Sequence, residues 1–163
     1  MNRKAIIVAV LLAILVIGLA YVILSSPQST MLFVDPSTVR GTIGQDFTIK
    51  VSVSNVVNLY GWSFKLGWNS SLLDVKNVTE GPMMGNSSNS LFTYYLNTTD
   101  EHLVVDCTLL GNISGVNGTG TLTTIQFTVK ENGACELNLY DTDLRDPNDN
   151  TIVHTVGTGQ FSS

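Results

Sequence analysis

The sequence predicts an all-β protein: a jelly-roll β-sandwich of about nine strands, preceded by one N-terminal transmembrane or signal helix. Three observations predict it. Side-chain polarity alternates every second residue through much of the chain after residue 30. Turn-forming clusters of Gly, Asn, Asp and Ser recur every 8–15 residues over the same stretch. A charge-free apolar run at residues 5–24 sets the first part of the chain apart from the rest.

The alternation is clearest at residues 46–55, DFTIKVSVSN, where Phe47, Ile49, Val51 and Val53 share one face and Thr48, Lys50, Ser52 and Ser54 the other. A period of two marks a half-buried strand. Residues 60–68, YGWSFKLGW, repeat the pattern, with Tyr60, Trp62, Phe64, Leu66 and Trp68 opposite Gly61, Ser63, Lys65 and Gly67. Further strands are predicted at residues 102–110, 121–129 and 134–139, with weaker signals at 31–34, 72–79, 91–96, 151–155 and 158–161. No segment beyond residue 30 carries a helical period. A single sheet would leave one apolar face in water, so two sheets must close on each other.

Residues 1–25 read as a signal anchor or signal peptide, residues 26–30 as a short linker and residues 31–163 as the sandwich. Residues 5–24 follow the basic head Arg3-Lys4 and are long enough to cross a hydrocarbon core of roughly 30 Å. The positive head stays inside, which places the remainder outside the cell. If the segment is retained, the domain is membrane-anchored and extracellular; if it is cleaved, the domain is secreted. Arg3 and Lys4 are two of eight basic residues, so the exported part holds six against thirteen acidic residues, a charge of −7. It therefore lacks the basic face that binding to a phosphate backbone requires, and nucleic acid is excluded as a partner class. No nucleophile elbow, P-loop, dinucleotide fingerprint or zinc-type Cys/His spacing occurs, and the chain reads as non-catalytic.

Several residues are candidates for chemistry. Asp141, Asp143, Asp146 and Asp149 form the densest group of oxygen ligands, in a predicted loop that suits calcium, the one cofactor the sequence suggests. The competing reading is a hairpin loop, because Asp-Pro and Asn-Asp are ordinary turn formers. The row Tyr60, Trp62, Phe64 and Trp68 belongs to the core, since a strand must bury one face and the opposite one is Gly, Ser, Lys and Gly. Tyr94 and Tyr95 are adjacent, so one of them is expected to point outward as a candidate for stacking on a sugar. Six Asn-x-Ser/Thr sequons, at Asn69, Asn77, Asn86, Asn97, Asn112 and Asn117, are candidates for N-glycosylation. Cys107 and Cys135, a candidate disulfide in an exported domain, each share parity with apolar neighbours and so face the core. Asp106 and Glu136 alternate with apolar residues and read as solvent-face carboxylates.

Residues 31–56 read MLFVDPSTVRGTIGQDFTIKVSVSNV, residues 59–81 LYGWSFKLGWNSSLLDVKNVTEG and residues 115–129 GVNGTGTLTTIQFTV, followed by an Asp-rich loop and a closing strand. This order of segments resembles that of a cohesin domain. The resemblance spans nearly all of residues 31–161. It implies a jelly roll that binds dockerin modules through one sheet face, including outward residues of the third strand. The best-known members carry an Asn and an Asp there, and those positions fall on Gly61 and Ser63; the family's Asp-Pro corner is Asn69-Ser70. It also implies a strand between those bearing Cys107 and Cys135, which favours two separate buried thiols over a bridge.

The reading is therefore a non-catalytic, cohesin-like binding module. It engages a dockerin-like protein through Gly61, Ser63 and Lys65 and is held to a membrane by residues 5–24. The alternatives are a carbohydrate-binding module, with polysaccharide as partner, and a structural glycoprotein of the cell envelope.

Overall fold

A computed structural model describes residues 12–14, 28–85, 89–97 and 102–163. The predicted membrane segment lies outside the described residues except for 12–14, which are helical. Among the described residues no helix is long and apolar enough to cross a membrane.

From residue 28 onward the described chain is an all-β sandwich of two sheets with one turn of helix. The elements in chain order are β1 (Met31–Asp35), β2 (Thr38–Arg40), β3 (Asp46–Leu59), β4 (Gly61–Gly67), β5 (Leu73–Glu80), α1 (Pro82–Gly85), β6 (Ser90–Asn97), β7 (His102–Leu109), β8 (Val116–Val129), β9 (Ala134–Arg145), β10 (Thr155–Gly157) and β11 (Gly159–Ser162). One sheet runs β10-β1-β3-β8-β5; the other runs β2-β11-β9-β4-β7-β6. All pairings are antiparallel except β1 with β10 and β11 with β2.

The strand count is eleven among the described residues rather than about nine. The extra strands arise where the chain passes between sheets. Pro36 has no N–H to extend a ladder, so the chain leaves one sheet after Asp35 and joins the other at Thr38. It crosses again between Gly157 and Gly159. Both ends of the domain thereby stitch the two sheets together.

The strands β3, β4, β7 and β8 bury the apolar faces that their alternation predicts, and Ser52 of the opposite row of β3 is buried as well. Ile49, Val51 and Val53 of β3, Ile125, Phe127 and Val129 of β8, and Trp62, Phe64 and Leu66 of β4 all lie in the core. Phe47 stacks on Phe127 and Phe161 at ring separations of 5.5 and 5.3 Å, and Trp68 meets Phe127 edge-on at 5.6 Å, so aromatic rings bridge the two sheets. The Trp68 indole donates to the Leu73 carbonyl at 3.1 Å. The Trp62 indole nitrogen is buried without an acceptor among the described residues. Its ring is held between Phe64 and Phe92, at 5.7 and 6.2 Å.

Residues 116–120, which precede the strand predicted at 121–129, belong to β8. They pair with the end of β3 through bulges, which broke the alternation there. Asparagine side chains tie this irregular end: the Asn58 amide donates to Asn117 Oδ1 at 2.8 Å, and the Gly115 amide donates to Asn58 Oδ1 at 3.0 Å.

Phe127 sits at the centre of this aromatic bridge and is fully buried, while its neighbour Gln126 faces outward. Phe127→Ala is expected to lower the unfolding free energy in urea titration by about 3–5 kcal/mol, and Gln126→Ala to leave it within about 0.5 kcal/mol. Equal effects would contradict the assignment of faces.

Candidate functional site

β4 lies inside the six-stranded sheet, between β9 and β7. Its apolar residues fill the core, so Gly61, Ser63, Lys65 and Gly67 face out. Register extends this outward row across the neighbouring strands. Gly61 stands beside Thr108 of β7 and Arg145 of β9; Ser63 stands beside Asp106 and Asp143; Lys65 stands beside Val104 and Tyr140. From the edge strand β6, Leu91, Thr93 and Tyr95 continue these rows past Thr108, Asp106 and Val104.

A groove of about 430 Å³ opens on this face. Gly61 and Ser63 lie in it, with Asp106 and Thr108 on one side and Asp143 and Arg145 on the other; the turn carrying Asp146 and Pro147 forms a wall. Gly61 keeps it open, because a Cβ there would meet nothing nearer than Thr108 Oγ1 at 3.5 Å and a longer side chain would project into the groove. Of the predicted partner-binding residues, Gly61 and Ser63 border the groove. Lys65 stands on the same face, one row beyond it.

The charges on this face are mostly committed to one another. Lys65 Nζ lies 2.9 Å from Asp141 Oδ2 and 5.9 Å from the centre of the Tyr140 ring; the hydrogen bond to Asp141 holds the ammonium pKa above its usual value. Arg145 Nε donates to Asp143 Oδ2 at 2.7 Å, and its terminal nitrogen donates to the Asp149 carbonyl at 2.9 Å. Among the charged residues lining the groove, Asp106 is the exception. It is exposed and makes no hydrogen bond or ion pair among the described residues, and its cross-strand neighbours, Ser63 and Thr93, are uncharged. Partial burial raises its carboxyl pKa, with no cation nearby to lower it again.

The four aspartates proposed as calcium ligands are not gathered around one point. Asp141 and Asp143 lie on β9, not in a loop. A bulge, with Asp141 at φ 47°, opposes two residues of β9, Asp141 and Thr142, to the single residue Phe64 between Ser63 and Lys65. It breaks the alternation and lets Asp141 reach Lys65 on the outer face. The loop begins at Asp146, whose carboxylate accepts from the amides of Asn148 and Asn150 at 2.8 and 2.9 Å and from Asn150 Nδ2 at 3.0 Å. These bonds, those from Asn150 first, hold its pKa below the usual carboxylate value. Among the described residues no three His, Cys, Asp or Glu side chains converge as a metal site.

The disulfide between Cys107 and Cys135 is not formed; both are free thiols. β4 separates β7 from β9, and Cys135 is paired with Phe161 of β11 rather than lying across from Cys107. Cys107 is buried and its sulfur lies 3.5 Å from Glu80 Oε1; burial first, and then the Glu80 charge, push its pKa up to about 12. Both tyrosines of the adjacent pair are exposed, Tyr94 by 51% and Tyr95 by 62%, where one was expected. β6 is an edge strand, so even the inward parity of Tyr94 leaves its ring beyond the covered core. Asn69, Asn77, Asn112 and Asn117 are exposed, Asn97 is half-buried, and Asn86 lies outside the described residues.

Sequence reasoning placed Asp106 on the solvent face but did not bring it to the site, and it missed Thr93, Thr108 and Arg145. Parity identifies an outward residue; only register across β6, β7, β4 and β9 shows which outward residues meet.

A family model for the Cohesin domain matches residues 32–158. The chain belongs to the cohesin family. Solved cohesins share the fold at low identity. A non-cellulosomal cohesin from the archaeon Archaeoglobus fulgidus superposes with a TM-score of 0.70 at 22% identity, covering 83% of this chain and 91% of that one. The cohesin of the Coh-OlpC–Doc435 cohesin–dockerin complex from Clostridium thermocellum gives 0.69 at 14% identity, with coverage of 82% and 94%. The third ScaC cohesin of Acetivibrio cellulolyticus, solved with the ScaB dockerin, gives 0.70 at 17% identity, with coverage of 82% and 97%. No curated protein matches the chain.

In this cohesin, the raised Asp106 pKa means that ionisation is harder in the folded than in the unfolded state. The resulting destabilisation is absent below the unfolded carboxylate pKa and complete above the folded one. Asp106→Asn is therefore expected to melt at or above the wild-type temperature at pH 7, with the difference closing as the pH falls through the carboxylate range. A lower melting temperature at pH 7 would show that the carboxylate has a stabilising partner.

Proposed function

We propose that this cohesin is a non-catalytic module that binds a dockerin-like protein through the outer face of its six-stranded sheet. The observation that carries the reading is the open groove over Gly61 and Ser63, whose strand β4 is paired on both sides by β9 and β7. Backbone with little side chain lets a partner's helix or loop approach closely, and the solved relatives include cohesins in complex with dockerins. The family's Asn and Asp on the third strand are replaced by Gly61 and Ser63, so the recognition here relies on shape and on the residues beside them, Asp106, Thr108 and Arg145.

The apolar, charge-free residues 5–24 after Arg3-Lys4 support export, with the domain displayed at the outer surface of the membrane or secreted after cleavage. The exposed pair Tyr94 and Tyr95 supports polysaccharide as the second reading, because adjacent rings at a sheet edge offer a stacking surface.

The test is calorimetric titration of the full chain, in non-ionic detergent, with a panel of dockerin modules that includes any encoded beside this gene, with and without calcium. Saturable binding is expected to at least one. Gly61→Leu should weaken it at least tenfold, and Thr48→Leu on the opposite sheet should leave it within twofold. Failure of every dockerin to bind would overturn the reading. Retention on insoluble polysaccharide that Tyr95→Ala abolishes would replace it with the second.

A further inference from the structure

We propose that the groove over Gly61 selects a partner that inserts a long basic side chain, arginine or lysine, against Asp106. The proposal rests on the reading that this face binds a protein and adds the chemistry of the contact. Asp106 stands at the groove without a partner among the described residues, although cations are present on the same face. Lys65 is turned to Asp141, and Arg145 is turned to Asp143 and the Asp149 backbone. Neither is available without breaking a bond of 2.9 Å or less.

The charged residues lining the groove are Asp106, Asp143, Arg145, Asp146 and Asp149. The single cation leaves the lining acidic, and Asp146 is already satisfied by its own turn. An incoming carboxylate would meet like charge, and an incoming apolar chain would bury Asp106 unpaired. A guanidinium or ammonium group pairs with it, while Ser63, Thr93 and Thr108 offer hydroxyl acceptors around the carboxylate. Space is also present. Gly61 leaves open the floor beside Asp106's strand, and the groove's volume of about 430 Å³ exceeds the room one extended side chain needs. The acidic groove and the basic side chain are thus complementary in charge and shape.

The test is amide chemical-shift mapping of the ¹⁵N-labelled full chain in non-ionic detergent at low salt. The probes are capped Gly-Arg-Gly and Gly-Lys-Gly tripeptides, with Gly-citrulline-Gly and Gly-Glu-Gly as controls. The basic peptides are expected to shift the amides of Gly61, Ser63, Asp106 and Thr108, with affinity at least tenfold above that of the citrulline peptide. Asp106→Asn should remove the preference for charge, and Gly61→Leu, which leaves the carboxylate in place, should remove binding. Equal shifts from arginine and citrulline peptides, or no shift at these amides, would overturn the proposal. So would a dockerin that binds this face equally well in wild type and Asp106→Asn, an outcome that leaves the face reading intact. Failure of every dockerin to bind, with the arginine peptide still seated beside Asp106, would instead remove the face reading alone.

Discussion

Strand β4 must put every side chain on one of two faces, and the structure depends on how that division falls. Trp62, Phe64, Leu66 and the following Trp68 take the inner face, where they meet the opposite sheet. Fully burying each large apolar side chain is worth about 1.5–3 kcal/mol. No register that exposed this row could compete, since a slip of one residue would send all of it to water and bring Lys65 inward. The outer face is then left with Gly61, Ser63, Lys65 and Gly67. The strand that anchors the core is thus also the floor of the groove.

What sits around that floor is decided by pairing. β4 is flanked by β9 and β7, so the outward residues of three strands, and of β6 beyond, lie within reach of one ligand. The bulge in β9 adds a local adjustment: it carries Asp141 to the outer face, where it neutralises Lys65, while Arg145 neutralises Asp143 and holds the following turn. Among the described residues, the carboxylate left over at the groove is Asp106. A group that folding desolvates without rewarding is a cost to the free protein, and such costs are offset when a partner supplies the missing charge.

The sandwich was legible in the sequence because alternation and turn chemistry agree along most of the chain. The strands predicted at 46–55, 102–110 and 121–129 all form, and Trp62, Phe64 and Trp68 of the aromatic row are core, with Tyr60 half-buried at the groove. The reading failed where regular period is interrupted. At Asp141 the bulge inserts one residue and made strand look like acidic loop. At residues 116–120 glycines paired through bulges looked like turn. β2 is only three residues long, too short to show a period. The site was half legible: Gly61 and Ser63 follow from parity and the family resemblance, whereas Asp106 and Arg145 join them only through register, which a single sequence does not display.

The measurement that bears most directly on this account is an alanine scan of residues 61–68 read by urea denaturation. The division of faces predicts a sawtooth. Trp62, Phe64, Leu66 and Trp68 should each lose about 2–5 kcal/mol on truncation, and Ser63 and Lys65 should stay within about 0.5 kcal/mol of wild type. A flat profile, or losses that peak at Ser63 and Lys65, would contradict it.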